Sequence, residues 1–459
     1  MAKRTTKTGG VRWIAVGGGS EPSSNQVSLE QDLELAARTF EGEGIVLFAG
    51  GAGQPTVQEL RPDGDVESAR DALRARLGAL FDARAGRDAR YRPTRLSPDG
   101  PATLEALEQA LDAALAEPAG RGPLLVYAAL HGDSGDAPRD GVLSLWGGFT
   151  WSAAELAERL DAAASRRRVR LLIAACYSGG FAEVVFRGAN EEAGAANGDR
   201  CGLFAAPWDQ ESSGCDPDPD RRRQQSYSLH VLMALGGRGR DGQPLPRETI
   251  DLDGDGAISL LEAHTRARIA SRSIDVPTTT SERWLRSAAP EHGPSIATAL
   301  PEEDAVVRSL GETLALRTED AARARLARLE DEQRVLDERI EALSSDADER
   351  AADLRVALLS RWPVLDDPWH RDFAPLMAAH EEAIRRAMDE WPEAAAWTSA
   401  QAALDAAAER ADTLTVDLSI VRRLVRAHET RTLAARLHAV GGEAWQTYER
   451  ILRCERSAP

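Results

Sequence analysis

Five apolar runs punctuate the first half of the chain: VRWIAVGG from Val11, GIVLFAGG from Gly44, LLVYAAL ending at Leu130, VRLLIAAC from Val169 and GLFAAP near Gly202. Helical periodicity fills the gaps, from about Leu29, within Ala102 to Leu115, and from about Ala153 to Ala163. Runs that are apolar at nearly every position belong to strands covered on both faces. Interleaved with helices, they predict an α/β fold with a mostly parallel sheet flanked by helices. Ligands of such folds bind beyond the carboxyl ends of the strands, so the residues where these runs stop carry the functional interest.

LLVYAAL runs into His131-Gly132-Asp133, and VRLLIAAC ends on Cys176, followed by Tyr-Ser-Gly-Gly. Both polar groups therefore finish on one edge of the sheet. A free cysteine in an apolar run is ordinarily a packing residue. Beside an imidazole at a strand end it becomes a candidate nucleophile, because the imidazole can take the thiol's proton. The neighbouring glycines are expected to admit a substrate carbonyl and to leave backbone N–H groups free for its developing oxyanion.

These residues resemble the caspase-like cysteine peptidases of clan CD, which include caspases, metacaspases and legumains. Their mark is His-Gly after one strand and Ala-Cys-x-Ser/x-Gly after the next, with the His about 50 residues upstream in caspases. Here the marks are LHGD, Leu130 to Asp133, and AACYSGG, Ala174 to Gly180. The opening VGGGSEPSSNQVSLEQD is similar to the first strand and helix of bacterial members, and the resemblance covers roughly Arg12 to Arg272. It implies a caspase-hemoglobinase fold, His131 as acid and base, Cys176 as nucleophile, and an oxyanion hole made by the N–H groups of Gly132 and Cys176. Ala174 stands where caspases carry Gln and metacaspases an acid, and Tyr177 where legumains carry Glu.

The stretch WDQESSGC, Trp208 to Cys215, resembles the Glu-Ser-Ser segment lining the legumain specificity pocket. Asp209, Glu211, Ser212 and Ser213 are accordingly the pocket candidates. The acids would suit a basic P1 residue and the serines asparagine, and an ordinary polar loop fits the same residues. After it comes SGCDPDPDRRRQQSYS, whose Pro and Asp residues break regular structure and whose arginines should be exposed. Caspase-like enzymes commonly cut themselves at this place, making Arg221, Arg222 and Arg223 candidate self-cleavage positions. A solvated loop is the other reading.

DLDGDGAISLLE, Asp251 to Glu262, matches the calcium-loop pattern D-x-D-x-D-G-x5-E. Asp251, Asp253 and Asp255 would supply carboxylates, Ala257 a backbone carbonyl, Ser259 a direct or water-mediated ligand, and Glu262 a bidentate carboxylate. The preceding GQPLPRETI has two prolines and cannot be a regular entering helix. The loop is thus expected to be half of an EF-hand holding a structural Ca2+, with an exiting helix from about Ser259 to Ser271. No organic cofactor is expected.

Beyond Pro290 strand-like runs vanish. Leu326, Leu329, Leu336, Ile340 and Leu343, with Gln333, form an a/d seam expected to close an intramolecular hairpin, and further helices are broken at Trp362 to His370 and at Gly441-Gly442. The expected organisation is a flexible stretch over 1–11, a peptidase domain over 12–290 and an α-helical accessory domain over 291–459 that could bind a regulatory protein. A formal charge of −18 excludes a nucleic-acid or anionic-membrane partner. The N-terminus lacks a secretory pattern and no run approaches a membrane span of ~20 apolar residues, so a cytoplasmic, bacterial setting with four free thiols is expected.

The function expected from the sequence is a cysteine endopeptidase making limited cuts in protein substrates, after arginine, in a signalling or defence cascade. A catalytically silent scaffold binding partners through its helices, and a legumain-like asparagine-specific peptidase, are the alternatives.

Overall fold

The computed structural model describes residues 10–60, 69–81, 89–118, 120, 122–163 and 167–459. Its strands are β1 (Trp13–Gly18), β2 (Gly44–Phe48), β3 (Pro55–Leu60), β4 (Ala89–Pro93), β5 (Leu124–Leu130), β6 (Gly132–Asp133), β7 (Val142–Leu145), β8 (Phe149–Ser152), β9 (Val169–Ala174), β10 (Arg200–Phe204) and β11 (Thr278–Thr279). The α-helices are α1 (Val27–Thr39), α2 (Ala69–Leu80), α3 (Leu104–Leu115), α4 (Ala153–Ala163), α5 (Tyr227–Leu235), α6 (Leu260–Ala270), α7 (Thr280–Ala288), α8 (Pro301–Thr313), α9 (Glu319–Arg361), α10 (Phe373–Glu390), α11 (Pro392–Val440) and α12 (Gly442–Glu455). Most of the expected 1–11 stretch lies outside the described residues. Val11, within it, donates its N–H to Glu117.

A six-stranded sheet runs in the order β11-β10-β9-β5-β1-β2. It is parallel throughout except for β11, which pairs antiparallel with β10. The apolar runs are continuous because both faces are covered. Ile14, Val16, Val126, Ala128, Leu171 and Ile173 pack on one face with α3 and α4. Trp13, Ala15, Leu125, Tyr127 and Leu172 pack on the other with α1, α5 and α6. The sequence pattern did not reveal the ribbon β3-β4 or the three-stranded sheet β6-β7-β8, whose strands are short and mixed in polarity.

The chain divides into two compact units, and not at 290. One comprises Met1–Glu59, Tyr91–Arg325 and Ser419–Pro459, the other Leu60–Arg90 and Leu326–Leu418. The last forty or so residues join the first unit because their apolar side chains, among them Leu437, Tyr448 and Ile451, enter the core on the α1 face of the sheet. In the second unit Leu73, Leu77, Leu354, Leu358, Trp362 and Ile384 form a separate core, with Trp362 and Trp391 stacked at 5.9 Å. There the a/d seam of α9 is half-buried to buried, while Glu330, Asp331 and Glu338 beside it are exposed. Glu332 pairs with Arg410 of α11 at 2.5 Å, as a hairpin within one chain requires.

Cys201 of β10 and Cys454 of α12 form a disulfide, which corrects the expectation of four free thiols. Folding brings them together across 253 residues of sequence, a pairing that spacing alone could not signal. Disulfides persist in oxidising compartments, so this bond lends no support to a reducing cytosol. No described helix is long and apolar enough to cross a membrane. Denatured but unreduced protein should titrate two thiols, Cys176 and Cys215, and all four after reduction. A count of four before reduction would mean that the pair does not form.

Candidate active site

β5 and β9 pair in parallel with Ala129 opposite Ala174, so His131 and Cys176 each stand two residues past a matched pair at the same sheet edge. After Cys176 the chain turns through Tyr177 at φ +56° into a buried 3-10 helix, Ser178–Val185. The glycines here answer to the protein's own packing. A Cβ on Gly132 would lie 2.3 Å from the Cys176 carbonyl oxygen, one on Gly179 2.7 Å from the Ala206 oxygen, and one on Gly180 2.5 Å from the Pro138 oxygen. Ser144 N–H donates to the His131 carbonyl at 2.9 Å, which makes 131 and 144 a hydrogen-bonded pair of the β6-β7 ladder. Alternation then turns the Gly132 N–H away from β7, leaving it outside that ladder.

The ring of His131 is held by the loop between β1 and α1. Its Nε2 lies 2.8 Å from the Ser24 carbonyl oxygen and 3.0 Å from Gln26 Oε1. A carbonyl only accepts, so Nε2 carries the proton and Nδ1 of the neutral ring is a bare base. Nδ1 faces the Cys215 sulfur at 3.5 Å. The Cys176 sulfur contacts Ser212, accepting from its N–H at 3.3 Å and donating to its carbonyl at 3.4 Å. The described hydrogen bonds therefore join neither catalytic candidate directly to the other. The segment Ser212 to Cys215 touches both.

Burial pushes the Cys176 thiol up, hydrogen bonds from Ser212 pull it down, and Glu211 and Asp275 push it up further. Burial drives Cys215 higher still, to about 12. Both thiols are neutral at physiological pH, so an imidazole that accepts a proton is needed to activate either.

The segment is pinned along its length. Ser213 donates its N–H and hydroxyl to Asp275 at 2.6 and 2.8 Å, which turns that serine inward. Ser28 bonds Gly214 and Asp216, Gln31 bonds Pro219, and Asp32 pairs with Arg221 at 2.6 Å. These α1 residues, spaced three and four apart, share one helix face. Arg221 is thereby held, while Arg222 and Arg223 have side chains 85% and 69% exposed. Asp209 and Glu211 are exposed, and Glu211 accepts from the Tyr177 hydroxyl at 3.5 Å. The sequence reading had no signal for Ser24, Gln26 or Asp275 as site residues, because they act through backbone geometry or from distant segments.

The calcium-type loop has a single 3-10 turn, Arg247–Thr249, in place of an entering helix, and α6 leaves it capped by Ser259. Asp251, Asp253 and Asp255 each place a carboxylate oxygen within 4.8 Å of the others. Glu262 and Ser259 are engaged elsewhere. Glu262 accepts from the N–H of Leu252 and from both N–H and hydroxyl of Ser259, at 2.5, 2.8 and 2.9 Å. Ala257 donates its N–H to Asp255. Arg247 bonds Asp251 at 2.9 Å and also the Gly256 carbonyl, supplying positive charge to the acids. The donors are hard oxygens of the kind that hold a hard divalent cation, and the Arg247 bond to Asp251 and the cap on Glu262 would compete with one.

The chain matches no protein-family profile and no curated protein. It is similar to a solved structural-genomics protein from Geobacter sulfurreducens at 13% identity and a TM-score of 0.29, over 59% of this chain and 92% of that one. A likeness at that level carries no argument.

The difference between the thiols is testable in the folded protein. At pH 8 iodoacetamide should modify Cys176 faster than Cys215, since the thiolate is the reacting form and burial pushes Cys215 to about 12. Peptide mapping that finds Cys215 modified first would contradict the electrostatics described.

Proposed function

We propose that the chain is a caspase-like cysteine endopeptidase that makes limited cuts in proteins after basic residues, with arginine preferred to lysine. The observation that carries this reading is the ring of His131, held through Nε2 by Ser24 and Gln26, at the same sheet edge as the Cys176 thiol.

In the proposed reaction His131 Nδ1 takes the thiol proton as Cys176 Sγ attacks the scissile carbonyl. The oxyanion that forms is held by the N–H groups of Gly132 and Cys176. The imidazolium then gives its proton to the leaving amine, the C–N bond breaks, and a thioester remains. Water, deprotonated by the same nitrogen, attacks the thioester, releases the new carboxyl end and restores the thiol. Cys215 lies on Nδ1, so substrate must move it aside before the leaving amine can reach the base.

Support for a basic P1 residue comes from charge. Glu211 is exposed one residue before the Ser212 that contacts the Cys176 sulfur, and Asp209 is exposed two residues before Glu211. Arginine's planar fork suits a carboxylate better than lysine's ammonium does. The exposed Arg222 and Arg223 are then the candidate self-cleavage positions.

Fluorogenic peptides differing only at P1 test this. Arginine should be cut fastest, and Cys176→Ala and His131→Ala should each lose at least a thousandfold, on the order of nucleophile or base removal. Asparagine or aspartate winning would overturn the specificity. Variants within tenfold of wild type would overturn the dyad.

The same proposal includes a structural Ca2+ at Asp251, Asp253 and Asp255, with Glu262 recruited as the fourth carboxylate. Calcium at a hundredfold excess over its dissociation constant should stabilise the fold by about 2.7 kcal/mol relative to chelator. The gain should vanish in an Asp253→Ala/Glu262→Ala variant. Identical melting curves with calcium and with chelator would remove the ion from the proposal.

A further inference from the structure

Arg423 lies on α11, far in sequence from either catalytic candidate, yet it is 1% exposed. Its Nε donates to the Asp275 carbonyl at 2.6 Å, Nη1 to the carbonyls of Ser271 and Arg268 at 2.8 and 3.3 Å, and Nη2 to the Ser273 carbonyl at 2.6 Å. One guanidinium thus collects four carbonyl oxygens between the end of α6 and Asp275. Arg268 lies in the last turn of α6 and the rest of the stretch is irregular, so these carbonyls have no ladder of their own. Four buried acceptors without donors would be costly.

The stretch so held presents a wholly buried carboxylate. Asp275 Oδ1 accepts from Ser213 N–H at 2.6 Å; Oδ2 accepts from the hydroxyls of Ser213 and Ser273 and from Tyr227 N–H, at 2.8, 2.7 and 2.7 Å. The next residue back, Ser212, donates its N–H to the Cys176 sulfur, and two residues on, Cys215 meets His131. Hydrogen bonds and short stretches of backbone therefore lead from Arg423 through the 271–275 stretch, Asp275 and Ser213 to the Ser212 N–H group on the candidate nucleophile.

From this geometry we infer that Arg423 and Asp275 are positioning residues, which hold Ser212 against the Cys176 sulfur and so make the 419–459 part of the chain a component of the active site. The inference rests on Cys176 being the nucleophile of the proposed peptidase. Its physical content does not require turnover. An N–H donated to sulfur favours the thiolate, so loosening Ser212 makes the thiol harder to ionise. Burying an arginine and a carboxylate in a place where apolar side chains would pack well also calls for a reason, and fixing one loop geometry is such a reason.

The test follows Cys176 directly in the full chain. Alkylation of Cys176 by iodoacetamide is measured against pH by peptide mapping in wild type, Ser213→Ala, Asp275→Glu, which keeps the negative charge but misplaces the carboxylate, Arg423→Gln and Arg423→Lys, alongside melting curves and peptide cleavage. Variants that remain folded should show the alkylation profile displaced to higher pH, with the rate at pH 8 down by about threefold or more, the effect of half a unit in thiol acidity. Arg423→Lys should recover less than half of the loss in Arg423→Gln, since an ammonium cannot span four carbonyls. Ser213→Ala removes one hydroxyl from a half-buried residue and decides the matter if the buried variants do not fold. Lower melting temperatures with an unmoved alkylation profile would mean a purely structural role and overturn the inference. A displaced profile in a protein whose wild type cuts no peptide would keep the positioning and overturn the peptidase.

Discussion

The parallel pairing of β5 with β9 is the constraint on which the rest of the molecule depends. Parallel strands carry their carboxyl ends to one edge, and the register that sets Ala129 against Ala174 delivers His131 and Cys176 there together. β1, the other neighbour of β5, ends at the same edge and leads into the loop that supplies Ser24 and Gln26. β10, the other neighbour of β9, leads into Trp208 to Cys215. Four adjacent strands thus lead into the groups that hold the His131 ring and the Cys176 sulfur. A one-residue slip in any of them would turn alternating side chains to the wrong face and empty both halves of the core.

Polarity in the site is handled by giving each buried group a fixed partner. The histidine is oriented by acceptors that settle its tautomer, and Cys176 is bracketed by the N–H and carbonyl of Ser212. Asp275 is pushed up by burial and drawn back by donors from Ser213 and Ser273 and by the charge of Arg423. Arg423 is drawn down by burial to about 10 and remains charged at neutral pH. Burial keeps both thiols protonated at rest, at the expense of needing proton transfer during attack.

The last stretch of the chain is built into the sheet-bearing unit at several points. Cys454 is bonded to Cys201 of β10, and Glu455 accepts from the hydroxyls of Thr280 and Ser281 and from the Ser281 N–H at the start of α7. Periodicity announced the helices beyond 290, and α9 even carries its seam where the spacing put it. It could not announce which unit they join, because an apolar helix stripe specifies burial without naming the surface that buries it.

The sequence alone determined the parallel sheet, its interleaved helices and the strand ends bearing His131 and Cys176, because those features are written in local periodicity and in where apolar runs stop. That the Asp251–Glu262 loop has no regular helix before it and a capped helix after it was likewise legible, since prolines before it and a capping serine after it act locally. Tertiary structure decided the rest. It put Cys215 on His131, Asp275 under Ser213, Arg423 beneath the 271–275 stretch and Cys454 on Cys201, and it found packing reasons for Gly132, Gly179 and Gly180. Each of these joins segments distant in sequence through backbone atoms or single side chains, and no spacing along a chain encodes which distant carbonyl an arginine will meet.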